Sequence, residues 1–331
     1  MGVKMNKFFE QIWYSNFNVY SLILFPFSLI FLIIIKIRII LYRYGILVKY
    51  KSPIPLIIIG NITIGGTGKT PFTIWLANHL TKKGLKVGVI SSGYKSTSKT
   101  PKIVKENSNA NQVGDEAVLI AKYTDSIVVS GGSRVDATKL LTKISINDII
   151  LHDDGLQHYK LERDYEIILI NSKNPFGNGL VLPAGPLREP KSRLDNTDIV
   201  AYTNNNNDST YSIATISNSV VNSVSEESKN IKDFALKKIH LVTGIASMEM
   251  IIENLKSYKI QCILHEYDDH YIFDGSEVIF DDNYPVFITQ KDYVKLSGIN
   301  NKNIWIIDHK VKPNNLLITK LNSDLSHLLN I

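Results

Sequence analysis

Gly60-Asn61-Ile62-Thr63-Ile64-Gly65-Gly66-Thr67-Gly68-Lys69-Thr70-Pro71 carries the residue types that hold phosphate. An apolar run, Leu56 to Ile59, leads into glycines and then into Lys-Thr at the start of a helical pattern with proline in its first turn. That is the strand, loop and helix order of a phosphate-binding loop. Glycines let backbone N–H groups turn inward around an anion, the helix N-terminus adds positive dipole, Lys69 adds a full charge, and the Thr70 hydroxyl can ligate magnesium. The expected ligand is a nucleoside triphosphate, held by Gly65, Gly66, Thr67, Gly68, Lys69 and Thr70. In the strict pattern the first glycine falls at position 63, which is Thr63 here; Gly65 and Gly66 are expected to supply the missing freedom.

A second apolar run, Ile149 to Leu151, ends in His152-Asp153-Asp154, and paired acids at such a strand end are expected to hold magnesium. Gly155-Leu156-Gln157-His158 follows and keeps Gln157 and His158 at the same strand end. Gly114-Asp115-Glu116 opens another helical pattern, where carboxylates suit the dipole. Asp115 is the candidate general base, placed to face the γ-phosphate and take a proton from an attacking hydroxyl, with Glu116 beside it. An ordinary aspartate, with a pKa of about 3.9, is a weak base, so it needs orientation and a partner. His270, in Asp268-Asp269-His270-Tyr271, is the candidate partner. Arg188, beside Glu189 in a proline-rich loop, and Arg134, after Gly131-Gly132-Ser133, are candidates for steadying phosphate charge or gripping an anionic substrate.

Positioning such groups requires an α/β scaffold. Leu56 to Ile59, Val87 to Ser91, Ile127 to Ser130, Ile149 to His152, Glu166 to Ile170 and Ile199 to Tyr202 read as strands, with helices beginning near Thr70, Gly114 and Ser133. The alternation predicts a P-loop NTPase-like, mostly parallel sheet flanked by helices, with ligands at the strands' carboxyl ends. Thr203 to Asn230, rich in Asn and Ser, reads as an exposed excursion or hairpin. Beyond it Ile239 to Val242, Gln261 to Leu264, Val286 to Thr289 and Ile304 to Ile307 predict a smaller second α/β lobe. The expected division is an anchoring segment at 1–51, a P-loop core at 52–203, a linker or hairpin at 204–235 and the second lobe at 236–331.

Charge is distributed unevenly. Lys4, Lys7, Lys36, Arg38, Arg43, Lys49 and Lys51 face one acid, Glu10, in residues 1–51, so this segment accounts for the whole formal net charge of +6. A neutral main body argues against a nucleic-acid-binding face there. Val19 to Ile35 is a 17-residue apolar block containing Pro26, at the short edge of the roughly 20 residues needed to span a bilayer. We read it as a retained membrane anchor that either crosses the bilayer or lies in its interface, its basic end meeting an anionic surface. The single cysteine, Cys262, allows no intrachain disulfide.

The apolar N-terminal segment, Gly60 to Pro71, Val113 to Glu116, Asp153 to His158, Leu182 to Pro190, Asp269-His270 and Thr289 to Asp292, in that order, resemble the tetraacyldisaccharide 4'-kinase family of lipid A biosynthesis. The resemblance implies ATP- and magnesium-dependent phosphorylation of the 4' hydroxyl of a membrane-embedded, acylated glucosamine disaccharide 1-phosphate, at the cytoplasmic face of a bacterial inner membrane. It also implies an Asp115–His270 dyad, Lys69 in catalysis, and Asp153, Asp154, Gln157 and His158 near nucleotide and magnesium. The family's R-E pair maps onto Arg188 and Glu189. Ser92, Ala117, Gln290 and Gly244-Ile245-Ala246-Ser247-Met248 depart from the family's usual pattern.

Two other readings compete. A membrane-bound ATPase or GTPase switch would need no acceptor, but a GTPase carries an N-K-x-D signature, and Asn301-Lys302-Asn303-Ile304 lacks its Asp. A kinase for a soluble substrate that docks on membranes is the third. The sequence sets no oligomeric state.

Overall fold

A computed structural model of the chain describes residues 9, 11–15, 18–94, 96–244, 249–269, 271–296, 299 and 301–329. The apolar runs of the first half become β1 (Leu56–Gly60), β2 (Val87–Ser91), β4 (Ile127–Ser130), β5 (Ile149–Asp153), β6 (Tyr165–Asn171) and β7 (Ile199–Thr203), with the short β3 (Lys102–Val104) as an edge. β7, β6, β1, β5, β2 and β4 lie side by side in that order, all parallel. β1 and β5 are buried along their whole length, which explains their unbroken Ile and Leu content.

The second half repeats the scheme with β10 (Lys238–Thr243), β11 (Gln261–Glu266), β12 (Val286–Thr289) and β13 (Ile304–Pro313), parallel in the order β11, β10, β12, β13. The Asn/Ser-rich segment contains the hairpin that was one of its two expected forms, but it is more than an exposed excursion. Asn206 to Ser209 are exposed, but the next residues form β8 (Ser212–Asn222), which joins both halves into one sheet. β8 runs antiparallel to β13 and parallel to β7, then turns back as a hairpin to β9 (Ser228–Asn230). Its Ser, Thr and Asn side chains conceal a strand because its ladder partners, not its own hydrophobicity, hold it.

Strand alternation sorts side chains onto two faces. Ile57 and Ile59 of β1 pack with Phe72 and Leu76 of helix α2 (Lys69–Lys82), and Leu56 and Ile58 pack with Ala137 and Leu141 of helix α4 (Arg134–Ile144). Between these in sequence lies α3 (Asp115–Tyr123). The last helix, α7 (Asn315–Leu329), returns to the first half, where Leu317 and Leu321 join the α2 face. In the second half, α5 (Glu249–Ser257) follows β10 and the single turn α6 (Gln290–Tyr293) follows β12.

Helix α1 (Val19–Arg43) opens on Asn18, whose side chain accepts from Ser21 N at 2.9 Å. By length and composition it can cross a membrane. Leu22, Ile23, Phe27, Ile30, Ile33 and Ile34 are each more than half exposed, an apolar surface that water does not support and lipid does. Its other side docks on the core: Phe31 and Leu32 pack on the α4 face, and Ser28 Oγ donates to Val181 O at 2.8 Å and accepts from Ala184 N at 2.9 Å.

Candidate active site

Between β1 and α2 the chain turns through Gly65 at φ +110° and Gly68 at φ +74°, conformations that a side chain resists. Gly65 and Gly66 are exposed and Thr67 is buried, its hydroxyl without a hydrogen-bond partner, so the loop offers an open cradle with one unspent donor. Thr63 has its own reason for replacing glycine. It bridges Leu187, while Ile64 N donates to Pro186 O at 2.8 Å and Arg188 N to Ile62 O at 2.6 Å. An extended residue suits that pairing, which ties the Arg188 loop to the phosphate loop.

Alternation along β5 divides its end between two faces. Asp153 shares the α2 face, where it accepts from Thr70 Oγ1 and Thr73 Oγ1, both at 2.9 Å. Burial, then the Glu116 and Asp154 carboxylates, push Asp153 up to about 7. Asp154, at φ 56°, lies 3.5 Å from Lys69 Nζ and 3.4 Å from Arg188 Nη1. Burial would raise its pKa, but Lys69 and Arg188 outweigh that and hold it below the ordinary value. Lys69 Nζ also donates to Asn61 Oδ1 at 3.1 Å.

A buried carboxylate raised by its neighbours, beside a threonine hydroxyl, is a donor set short of positive charge, and it fits magnesium. Among the described residues no cluster of three or more His, Cys, Asp and Glu could form a cage. Magnesium takes one or two protein oxygens and completes its shell with phosphate and water, so a carboxylate and a hydroxyl are enough for it.

Asp115 begins α3 and is buried, its Oδ1 accepting from Glu116 N at 2.9 Å. Burial and then Asp115 raise the neighbouring Glu116, against the lowering pull of Lys291. His270, the expected partner of Asp115, and Ile245 to Met248 lie outside the described residues.

The opposite face of β5 carries His152, fully buried beneath His158 at 5.6 Å between ring centroids. A cavity of about 340 Å³ opens beside them, lined by Arg134, His158, Lys160 and, from α1, Arg38 and Tyr42. Ser133 caps α4 by accepting from Asp136 N at 3.1 Å, which sets Arg134 at the first helical position. Arg134 Nε is buried without a hydrogen-bond partner. Burial and then the Arg134 charge push His158 down to about 4, so it is neutral at physiological pH.

A family profile described as Tetraacyldisaccharide-1-P 4'-kinase matches residues 20–326. The chain belongs to the tetraacyldisaccharide-1-P 4'-kinase family. It is 42% identical over 301 residues to the Tetraacyldisaccharide 4'-kinase of Haemophilus influenzae, covering 89% of each chain. It is 39% identical to that of Coxiella burnetii, covering 89% of this chain and 88% of the other. Among solved structures it resembles LpxK from Aquifex aeolicus in complex with ATP, with a TM-score of 0.76 and 28% identity over 92% of this chain and 98% of that one.

Within this kinase family frame, the structure brings Lys69, Thr70, Asp153, Asp154, Arg188 and Gln157 together around one strand end. Gln157 Nε2 donates to Asn61 O at 3.1 Å, and its Oε1 is 3.5 Å from Arg188 Nη1. Glu189 faces inward instead of toward open space. It is 1% exposed and accepts from Tyr159 OH at 2.5 Å and Gln157 Nε2 at 3.1 Å, with Arg193 Nε at 3.4 Å. Tyr159 in turn lies between Arg38 of α1 and Arg163, and stacks on Tyr42, which connects α1 to the site.

Sequence reasoning missed Asn61, Thr73, Tyr159, Lys291 and Lys295. The spacing Thr70-x-x-Thr73 could have found Thr73, since residues three apart share a helix face. Asn61 and Lys291 lie within stretches that the sequence singles out, but their contacts, like those of Tyr159 and Lys295, cross the chain and no local pattern announces them.

Proposed function

We propose that this chain transfers the γ-phosphoryl group of ATP to the 4' hydroxyl of a tetraacylated glucosamine disaccharide 1-phosphate, at the cytoplasmic face of a bacterial inner membrane. The observation that carries this reading is one strand end with a nucleotide-type cradle on one face and, on the other, a basic cavity walled by the membrane helix. A switch protein without an acceptor has no use for that cavity, and a soluble acceptor has no use for Arg38 and Tyr42 in its wall.

Asp115 takes the proton of the attacking hydroxyl. That oxygen bonds to the γ-phosphorus as the bond to the β,γ-bridging oxygen breaks, and the electron pair leaves on ADP. Lys69 and the loop N–H groups hold the phosphates in line, and positioning and charge supply most of the rate. Thr70, Asp153 and Asp154 would hold magnesium, which neutralises phosphate charge when bound. Arg188, kept in reach by Gln157 and Asp154, steadies the charge on the transferring group, and Arg134 and His158 face the sugar. Glu189 positions Gln157 and Tyr159. His270 is retained as the partner of Asp115.

The lipid acceptor stays in the bilayer, so the enzyme comes to it. Exposed apolar residues of α1 enter the membrane, and Lys36, Arg38 and Arg43 meet its anionic surface. Purified protein in detergent micelles with labelled ATP and the acylated disaccharide 1-phosphate is expected to label the lipid. ATP hydrolysis without lipid labelling by folded protein would overturn this reading and leave the switch and the soluble-acceptor kinase.

A further inference from the structure

Among the described residues, Lys291 and Lys295 of the other half of the molecule bring ammonium groups to within about 4 Å of Asp115. Thr289 caps the turn α6, its Oγ1 accepting from Asp292 N at 3.1 Å and donating to Asp292 Oδ2 at 2.8 Å. Asp292 is fully buried and also accepts from Gly244 N at 3.0 Å, so the turn is pinned to the end of β10. Two lysines project from this fixed platform. Lys291 Nζ lies 3.1 Å from Asp269 Oδ1, 3.9 Å from Asp115 Oδ2 and 4.0 Å from Glu116 Oε1. Lys295 Nζ lies 2.8 Å from Asp292 Oδ1 and 4.0 Å from Asp115 Oδ2.

The two lysines play different parts. Lys295 is committed to Asp292 and is 6% exposed, so its charge is spent on securing α6. Among the described residues, Lys291 has one close pair, with Asp269, and also stands between the two acids that begin α3. On the core side, Lys69 is engaged by Asn61 and Asp154. Burial would lower the Lys291 ammonium, but Asp115, Glu116 and Asp269 together keep it raised and charged. At 3.9 Å the ammonium acts on the buried Asp115 carboxylate through Coulombic attraction, and a shift of about 1 Å in a reacting group can cost roughly a hundredfold in rate.

We propose that Lys291 is the positioning residue for Asp115, delivered by the second half of the sheet to hold the carboxylate where the acceptor hydroxyl arrives. It acts through Asp115 and touches neither reactant. The base is therefore complete only when α6 is docked on the start of α3, which makes the sheet-spanning architecture part of the chemistry. This inference rests on the phosphoryl-transfer reading above.

The test measures kcat and KM for ATP and lipid with Lys291→Gln and Lys291→Arg, alongside thermal melting and ATP affinity by calorimetry. Lys291→Gln is expected to lower kcat by roughly 10- to 100-fold while KM for ATP stays within about threefold, and Lys291→Arg to recover most of that loss. Lys291→Met keeps the packing of the stem and replaces Lys291→Gln should that variant melt early. Wild-type kcat in the folded neutral variant would overturn the proposal. Equal losses in Gln and Arg variants, or a raised KM for ATP at unchanged kcat, would overturn it too. If the wild type binds ATP but labels no lipid, the transfer reading falls and the proposal with it; if the wild type labels lipid and Lys291→Gln does so equally well, only the proposal falls.

Discussion

Thr70 and Asp153, 83 residues apart in sequence, share a 2.9 Å hydrogen bond at the junction of the phosphate loop and β5. The hydroxyl donates and the carboxylate accepts. A magnesium ion would take both oxygens, and Asp153, pushed up to about 7 by burial and its acidic neighbours, would then be held ionised. Asp153→Asn is expected to cut kcat by roughly 10²- to 10³-fold, and Thr70→Ala to raise the magnesium needed for half-maximal rate. Steady-state rates across a magnesium titration decide this. An unchanged magnesium demand in Thr70→Ala would place that hydroxyl outside the metal's coordination.

His158 makes the protein sensitive to acid. Burial and the Arg134 charge hold its folded pKa at about 4, against about 6.5 for an unfolded imidazole. Between those values the unfolded chain binds the extra proton, so stability is fully present above about pH 6.5 and is lost as pH falls toward 4. His158→Gln removes this linkage. Denaturant unfolding of both proteins at pH 7.5 and 4.5 should show the variant gaining about 2 kcal/mol relative to wild type at the lower pH, allowing for partial solvent screening. A constant difference at both pH values would mean that His158 titrates normally.

The strands of the first half could be read from the sequence because parallel strands buried on both faces must be apolar throughout, as Leu56 to Ile59 and Ile149 to Leu151 are. The phosphate loop was legible because backbone geometry demands glycine at Gly65 and Gly68. β8 was not, since Ser217, Asn218 and Ser219 carry no strand signal and their order comes from β13, which lies about ninety residues onward. Likewise, Glu189 reads as a site acid in sequence, and only the fold reveals Tyr159 and Arg193 around it. Lys291 belongs to a motif that was visible, but its role depends on where α6 docks against α3.

Membrane attachment should separate from nucleotide binding. α1 carries the exposed apolar face, whereas the phosphate loop is built from β1 and α2. Deleting residues 1–44 is expected to release the protein from vesicles containing anionic lipid while ATP affinity stays within roughly threefold. Sedimentation with vesicles and calorimetry with ATP measure the two properties independently. Full retention of the shortened protein on vesicles would assign membrane binding to another surface.

Gly155 couples the two faces of the site. A Cβ added there would stand 2.3 Å from His152 Nδ1 and 2.7 Å from Cγ, and the ring is fully buried. Gly155→Ala is therefore expected to destabilise the protein by about 2–3 kcal/mol, the range for overpacking a tight core. The strain also has a direction. His152 lies beneath His158, which lines the basic cavity, while Asp153 points to the opposite face and is braced by Thr70 and Thr73. Displacement of His152 should thus reach the acceptor side first. In protein that remains folded at low temperature, KM for the lipid is expected to rise several-fold with KM for ATP little changed. An equal rise in both would mean that the strain passes along β5 into the phosphate loop.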